Sequence, residues 1–104
     1  MINFLKKMIG MGPQTDVETL INNGAIIVDV RTKSEYQSGH VKGSLNIPLD
    51  VIQNQYSKLT KDKPIITCCA SGMRSASAKN LLIANGFTEV YNGGSWLNLK
   101  RYKE

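Results

Sequence analysis

The stretch with the clearest chemical potential runs from Cys69 to Ser75, with the sequence Cys-Ala-Ser-Gly-Met-Arg-Ser. Residues 64–68, which precede it, form a short β-branched run that is typical of a buried strand. Residues 75–84, which follow it, carry apolar side chains at helical spacing and lead into Asn85-Gly86, a common helix stop. We therefore expect Cys69 to lie in a tight loop between a strand and a helix, called the cysteine loop below (residues 69–75).

Such a loop favours the ionised form of a cysteine. Its backbone N–H groups point inward, the N-terminus of the next helix adds partial positive charge, and Arg74 adds a full charge. Each of these stabilises a thiolate relative to a thiol, and the thiolate is the nucleophile. The pattern predicts Cys69 as the catalytic nucleophile. The predicted substrate-binding residues, acting mainly through their backbone N–H groups, are Ala70, Ser71, Gly72, Met73, Arg74 and Ser75.

Two of these side chains have more than one possible role. The positive charge of Arg74 can hold the thiolate or an anionic substrate, or Arg74 can brace the loop by pairing with a carboxylate. Ser75 is expected to cap the helix or to bond to the loop, where it could contact the reacting sulfur.

The two cysteines are adjacent, so the spacing to Arg74 allows two registers. Five residues separate Cys68 from Arg74, which is the spacing of cysteine phosphatases, and four separate Cys69 from it. Thr67 stands where those phosphatases usually carry a histidine, and no aspartate general acid is evident. Because side chains alternate along a strand, we expect Cys68 to be buried and Cys69 to open into the loop. The pattern favours Cys69 as the nucleophile.

Neither a disulfide nor a metal site is expected. Adjacent cysteines can form only a strained bridge. His40 is the only histidine and the cysteines lack the C-x-x-C spacing of zinc sites. No cofactor is predicted either.

Length and composition indicate a single globular domain. The chain has 104 residues, of which 41% are hydrophobic and 20% charged. We expect a domain over residues 13–104 and an amphipathic lead-in over residues 1–12 that packs against it. No apolar run is long enough to span a membrane, so a cytoplasmic location is expected. We also expect a monomer. The net charge of +5 would attract small anions. Nucleic-acid binding is not expected, because the sequence has no basic helix face interleaved with aromatic residues.

Strand and helix patterns alternate along the chain. Strands are predicted over residues 25–30, 44–47, 64–68 and 89–91, and helices over residues 16–23, 32–39, 49–59, 75–84 and 95–102. In the first helix Thr15 or Asp16 is the expected cap; in the 49–59 helix the side chains expected to point inward are Val51, Ile52, Tyr56 and Leu59. This alternation predicts an α/β domain with a parallel sheet and helices on both faces. Ligands of such sheets bind at the carboxyl ends of the strands.

The cysteine loop closely resembles the active-site loop of the rhodanese family of sulfurtransferases. Further matches follow in the family's order and cover residues 15–100. They are Val28-Asp29-Val30-Arg31, Glu35-Tyr36, Gly39-His40-Val41, Gly43-Ser44-Leu45-Asn46-Ile47-Pro48, Gly86-Phe87, Val90-Tyr91-Asn92-Gly93-Gly94 and Trp96. The resemblance implies a five-stranded, mainly parallel sheet and a shallow pocket between three turns.

Residues outside the loop are expected to support the site. Asp29 and Arg31 would pair and fix neighbouring loops, with Arg31 or Glu35 on the pocket rim. His40 is expected to be a hydrogen-bonded structural residue and Trp96 a core residue. Gly93 and Gly94 would allow close backbone approach or positive φ beside the cysteine loop.

The resemblance implies a sulfurtransferase. Cys69 would take the outer sulfur of a small anionic donor such as thiosulfate as a persulfide, and a thiol or protein acceptor would remove it. One alternative is a persulfide carrier or interaction module without efficient turnover. A cysteine phosphatase that uses Cys68 is the third hypothesis.

Overall fold

The computed structural model describes residues 13–103, so the predicted lead-in over residues 1–12 lies outside the described part of the chain. Its strands form one parallel sheet in the order β2-β1-β3-β4. The strands are β1 (Ile26–Asp29), β2 (Leu45–Asn46), β3 (Ile65–Cys69) and β4 (Val90–Ser95). The α-helices are α1 (Pro13–Asn22), α2 (Lys33–Gln37), α3 (Met73–Ala84) and α4 (Trp96–Lys100), and two 3-10 helices cover Leu49–Asn54 and Tyr56–Lys58.

Apolar side chains pack against both faces of the sheet. One face carries a cluster under α3 that includes Cys69, Ala78 and Leu82. The other carries a second cluster that includes Cys68 and Leu99 and packs against apolar residues of α1. The predicted α/β class, with a parallel sheet and helices on both faces, is confirmed. The alternation of side chains along β3 also places the adjacent cysteines on opposite faces, as the sequence predicts.

The sheet has four strands within residues 13–103, one fewer than the resemblance implied. These four coincide with the four apolar segments that predict strands. The chain ahead of β1 forms helix α1 in the described region, so it supplies no further strand there. The five-strand expectation is therefore wrong for this part of the chain, although the fold class is unchanged.

The segment predicted as one helix over residues 49–59 forms two 3-10 helices instead. They are separated at Gln55, whose φ of −122° and ψ of 11° are not helical. In a 3-10 helix residues three apart share a face, so Leu49 and Ile52 face the core together. Val51 consequently turns outward and is 36% exposed, contrary to its predicted inward position.

Several element boundaries differ from those predicted. Helix α1 begins at Pro13, ahead of the predicted caps at Thr15 or Asp16, because proline is well tolerated in a first helical turn. Helix α3 begins at Met73, so Ser75 lies inside its first turn. Strand β4 continues to Ser95, whose side chain then caps α4 by accepting a hydrogen bond from the Leu97 N–H.

Gly93 allows β4 to pass close to β3. A Cβ atom at this position would lie 2.7 Å from Ile66 Cγ2, 3.0 Å from Leu99 Cδ1 and 3.0 Å from the Thr67 carbonyl oxygen. A real Cβ atom does not fit at these distances unless β3 or α4 moves. Close backbone approach, which the sequence analysis proposed for this glycine, is what the geometry requires.

We predict that Gly93→Ala lowers the free energy of unfolding by about 3 kcal/mol, near the top of the range for overpacking. Gly24→Ala is the control, since Gly24 has a φ of +92° but no atom within 4 Å of the added Cβ. Backbone strain alone should cost that control about 1 kcal/mol. Equilibrium unfolding in urea measures both values. Equal losses for the two variants would contradict the close-packing argument.

Candidate active site

The Cys69 sulfur is the centre of the site, at the carboxyl end of β3. Its Sγ atom accepts hydrogen bonds from the backbone N–H of Gly72 at 3.0 Å and of Ser75 at 3.4 Å. Gly72 has a φ of +104°, a conformation that glycine adopts without strain. The cysteine loop therefore folds around its own thiol.

The hydrogen bonds outweigh the effect of burial on Cys69. Burial alone would raise the pKa of the Cys69 thiol, because a buried thiolate loses its hydration. The Ser75 hydroxyl, when it turns to donate to the sulfur, and the N–H groups of Ser75, Gly72 and Ser71 lower that pKa below its usual value. A lowered pKa raises the fraction of Cys69 that is thiolate at any given pH.

Cys68 is chemically different from its neighbour. It lies in the apolar cluster on the other face of the sheet, and burial raises the pKa of its thiol well above the usual range. A thiol with a raised pKa is a poor nucleophile at neutral pH. The environment therefore favours Cys69 over Cys68 as the reactive cysteine.

Cys69 faces into the loop, as expected, but it is not exposed. The side chain faces the loop N–H groups, yet the residue has no exposed surface. The loop closes over the sulfur because its short span brings Gly72 within 3.0 Å of Sγ. By contrast, Ala70 and Ser71 are exposed and Met73 is 78% exposed. These outward side chains leave the backbone as the part of the loop that faces the sulfur.

Arg74 is held by a carboxylate. Its Nη1 and Nη2 atoms donate to the two oxygens of Glu35 at 2.7 and 3.0 Å, which joins α3 to α2. The same carboxylate accepts from the Thr32 N–H in a capping box at the start of α2. These bonds, with the Arg74 guanidinium as the largest cause, lower the pKa of Glu35 to about 2. Of the two roles left open by the sequence, this geometry favours the brace.

Asp29 and Arg31 form a buried ion pair at the end of β1. The Arg31 guanidinium donates to Asp29 through Nε at 2.9 Å and Nη2 at 2.7 Å. It also donates to the carbonyl oxygens of Glu35 and Gly39 and stacks on the Trp96 ring at 4.5 Å. The hydrogen bond to Asp29 raises the pKa of Arg31, so the guanidinium stays charged. These contacts tie β1 to α2 and α4, which suits the predicted supporting role.

The other predicted supporting residues make contacts of their own. His40 bonds through Nδ1 to the Tyr36 carbonyl oxygen at 2.8 Å and stacks on the Tyr36 ring. Trp96 is partly buried against the second apolar cluster rather than fully inside it. Gly94 has a φ of +77°, and its backbone lies beside Gly72 of the cysteine loop.

Asn92 is a site residue to which the sequence analysis gave no role of its own. Its Oδ1 atom accepts a hydrogen bond from the Ser75 hydroxyl at 2.6 Å, and its Nδ2 atom donates to the Gly72 carbonyl oxygen at 3.2 Å. In the sheet it is paired with Thr67, two residues before Cys69. The only feature of the sequence that could have indicated this role is a polar residue in the strand, just before two glycines.

The Cys69 sulfur does not line the cavity that the structure shows beside β4. This cavity has a volume of about 280 Å³. Of the residues that bond to the cysteine loop through a side chain, Asn92 lines this cavity. Its lining residues are Val17, Asn92, Gly93, Asn98, Leu99, Arg101 and Tyr102. Within residues 13–103 there is neither a cluster of metal-ligating side chains nor a helix long and apolar enough to cross a membrane.

The sequence matches one family over most of its length. The model of the family described as "Rhodanese-like domain" matches residues 13–97, which include β1, the cysteine loop and β4. The chain belongs to the rhodanese-like family. Its named relatives include the thiosulfate sulfurtransferase GlpE of Pseudomonas savastanoi pv. phaseolicola, 34% identical over 77% of this chain and 76% of the relative.

Other rhodanese relatives differ in length. The uncharacterized protein YqhL of Bacillus subtilis is 38% identical over 65% of this chain, which spans only 54% of that protein. Among solved structures, a rhodanese with anions from E. coli superimposes with a TM-score of 0.68 at 31% identity. That match covers 72% of this chain and 91% of the other. Reduced Bacillus anthracis CoADR-RHD superimposes with a TM-score of 0.72 at 32% identity, over 85% of this chain and 16% of that one.

The role of Arg74 can be tested by the charge selectivity of Cys69 alkylation. If Arg74 braces the loop, Arg74→Ala should change the rates with anionic iodoacetate and neutral iodoacetamide together, with a rate ratio within about twofold of the wild type. Glu35→Ala should have the same effect, and the double variant should be no worse than either. Lys33→Ala, which removes an exposed charge from α2, is the control.

A different result would show that the positive charge of Arg74 acts on the anionic substrate. An exposed positive charge acting on an anion is worth about 1 kcal/mol, or roughly fivefold in rate. A fivefold fall in the iodoacetate preference that occurs in Arg74→Ala and not in Glu35→Ala would contradict the brace.

Proposed function

We propose that the protein is a sulfurtransferase that carries sulfane sulfur on Cys69. The observation that supports this most strongly is the convergence of loop N–H groups on a sulfur whose pKa they lower. The same donors would stabilise a negatively charged persulfide. Relatives named thiosulfate sulfurtransferase belong to the same family and are 34% and 31% identical in sequence to this chain, which supports the same chemistry.

The proposed reaction has two half-reactions. The Cys69 thiolate attacks the outer sulfur of thiosulfate; a new S–S bond forms, the S–S bond of thiosulfate breaks, and sulfite leaves with the electron pair. A thiolate or cyanide acceptor then attacks the terminal sulfur of the persulfide. The persulfide S–S bond breaks and its electrons return to Cys69 as a thiolate. Neither step requires an added oxidant, reductant or cofactor.

The residues of the cysteine loop have different parts in this proposal. The N–H groups of Ser71, Gly72 and Ser75 hold the charged sulfur, and the backbone of the other loop residues lines the donor's path. Arg74 keeps the loop in place through Glu35. The net charge of +5 draws the anionic donor to the molecule. Because Cys69 has no exposed surface, the loop must widen before the donor sulfur can reach it.

The burial of Cys69 favours one further candidate, a persulfide carrier that exchanges sulfur with a protein. A buried sulfur is slow to react with free anions, whereas a bound partner could open the loop. Met73, at 78% exposure, offers such a partner an apolar contact next to the sulfur. Slow turnover with thiosulfate but rapid loading by a protein persulfide donor would favour the carrier.

The cysteine phosphatase hypothesis has less support. It requires Cys68 as nucleophile, yet that thiol is buried in the strand with a raised pKa. The N–H groups of the loop also bond to Cys69, which leaves no comparable group of donors around Cys68 among the bonds of the described residues.

Matched serine variants test the proposed nucleophile. Cys69→Ser should lower sulfur transfer from thiosulfate to cyanide by at least about three orders of magnitude, because serine cannot form the persulfide. Cys68→Ser should retain most of the activity and lose about 1–3 kcal/mol of stability by burying a hydroxyl. Loss of activity in Cys68→Ser alone, or aryl phosphatase activity that depends on Cys68, would contradict the proposal.

A further inference from the structure

The Ser75 hydroxyl lies between two acceptors but has only one proton to donate. Its Oγ atom is 2.6 Å from Asn92 Oδ1 and 3.4 Å from Cys69 Sγ. The shorter distance is that of a strong O–H···O hydrogen bond, whereas the sulfur contact is long. In the structure the proton therefore belongs to the bond with Asn92.

The orientation of the Asn92 amide is fixed by two backbone groups. Its Oδ1 atom accepts from the Gly94 N–H at 2.9 Å, and its Nδ2 atom donates to the Gly72 carbonyl oxygen at 3.2 Å. Turning the amide over would place two donors together at Gly94 and two acceptors together at Gly72. The oxygen must therefore face Ser75, and Ser75 must donate to it.

This arrangement suits the thiol better than the thiolate. With the hydroxyl proton on Asn92, Ser75 presents an oxygen lone pair to the sulfur, so a Cys69 thiol can donate to it. A thiolate has no proton to donate and would face that lone pair. For the hydroxyl to support the thiolate, it must turn away from Asn92 and break its 2.6 Å bond.

We propose that Asn92 is a positioning residue that sets how readily Cys69 ionises, by competing with the sulfur for the Ser75 hydroxyl proton. The inference rests on the proposed function only in taking Cys69 as the nucleophile. Its experiment measures ionisation of the thiol and not sulfur transfer.

Other charged and titratable groups near the sulfur stay constant when Asn92 changes. Arg74 on α3 attracts the thiolate and is paired with Glu35 on α2. Cys68 on β3 remains a thiol because burial raises its pKa. Asp29 on β1 is paired with Arg31. These contacts do not involve Asn92. A change at position 92 therefore reaches the sulfur only through the Ser75 hydroxyl and through the bond of Asn92 to the Gly72 carbonyl oxygen, and the Ser75→Ala background separates the two.

The thiolate absorbance in the ultraviolet, followed against pH, reads this ionisation without requiring reagent access. The Cys69→Ser protein supplies the background. Asn92→Leu removes the competing acceptor, so the hydroxyl turns to the sulfur and the midpoint should fall by about one pH unit. Asn92→Asp holds the proton more strongly and adds negative charge, so the midpoint should rise by about one unit.

The Ser75→Ala background separates positioning from other effects. If Asn92 acts through Ser75, the shift caused by Asn92→Leu should vanish there, and the shift caused by Asn92→Asp should shrink to the effect of charge alone. If Asn92→Leu does not fold, as judged by circular dichroism, the test uses the isosteric Asn92→Asp variant, measured with and without Ser75→Ala.

Three results would overturn the inference. They are an unchanged or raised midpoint in a folded Asn92→Leu, a lowered or unchanged midpoint in Asn92→Asp, and shifts of full size in the Ser75→Ala background. The expected shifts without any persulfide formation would support the inference and count against the proposed function alone.

Discussion

A buried sulfur that accepts backbone hydrogen bonds is the interaction on which the rest of this structure depends. The hydrogen bonds from Gly72 and Ser75 to Cys69 work against desolvation, which on its own would keep the thiol protonated. Backbone donors can do this only if the loop cannot relax around the neutral thiol. The elements around the loop must therefore hold it closed on the free sulfur until a donor or a partner opens it, and the contacts of Arg74, Arg31 and Asn92 serve that purpose.

Three ties hold the loop, each from a different direction. Arg74 fastens the start of α3 to Glu35 on α2, and Glu35 is itself fixed by its capping box. The Arg31 ion pair lies beneath α2 and joins it to β1 and to the Trp96 ring. Asn92 reaches from β4 to the Gly72 carbonyl oxygen. The exposed ion pair between Arg74 and Glu35 contributes little stability by itself. It matters because it joins the first turn of α3, within the cysteine loop, to α2.

Much of this could be predicted from the sequence, and the failures have physical reasons. Period-two alternation was enough to separate Cys68 from Cys69, and the strand–glycine–helix pattern located the loop. The helix predicted over residues 49–59 failed because spacings of three and of 3.6 residues are hard to distinguish in so short a segment; Val51 faces outward as a result. The contacts of Asn92 could not be predicted, because its partners lie 17 and 20 residues away in the chain and meet only through the β3–β4 pairing.

The central claim is that Cys69, and not its neighbour, accepts a sulfur atom. The most direct measurement is mass spectrometry of the unmodified protein after incubation with thiosulfate, first intact and then after proteolysis and alkylation under conditions that preserve persulfides. The account predicts an added mass of one sulfur atom, located on Cys69, which disappears when an acceptor thiol is added. An added sulfur located on Cys68, or no addition even with a protein persulfide donor, would contradict it.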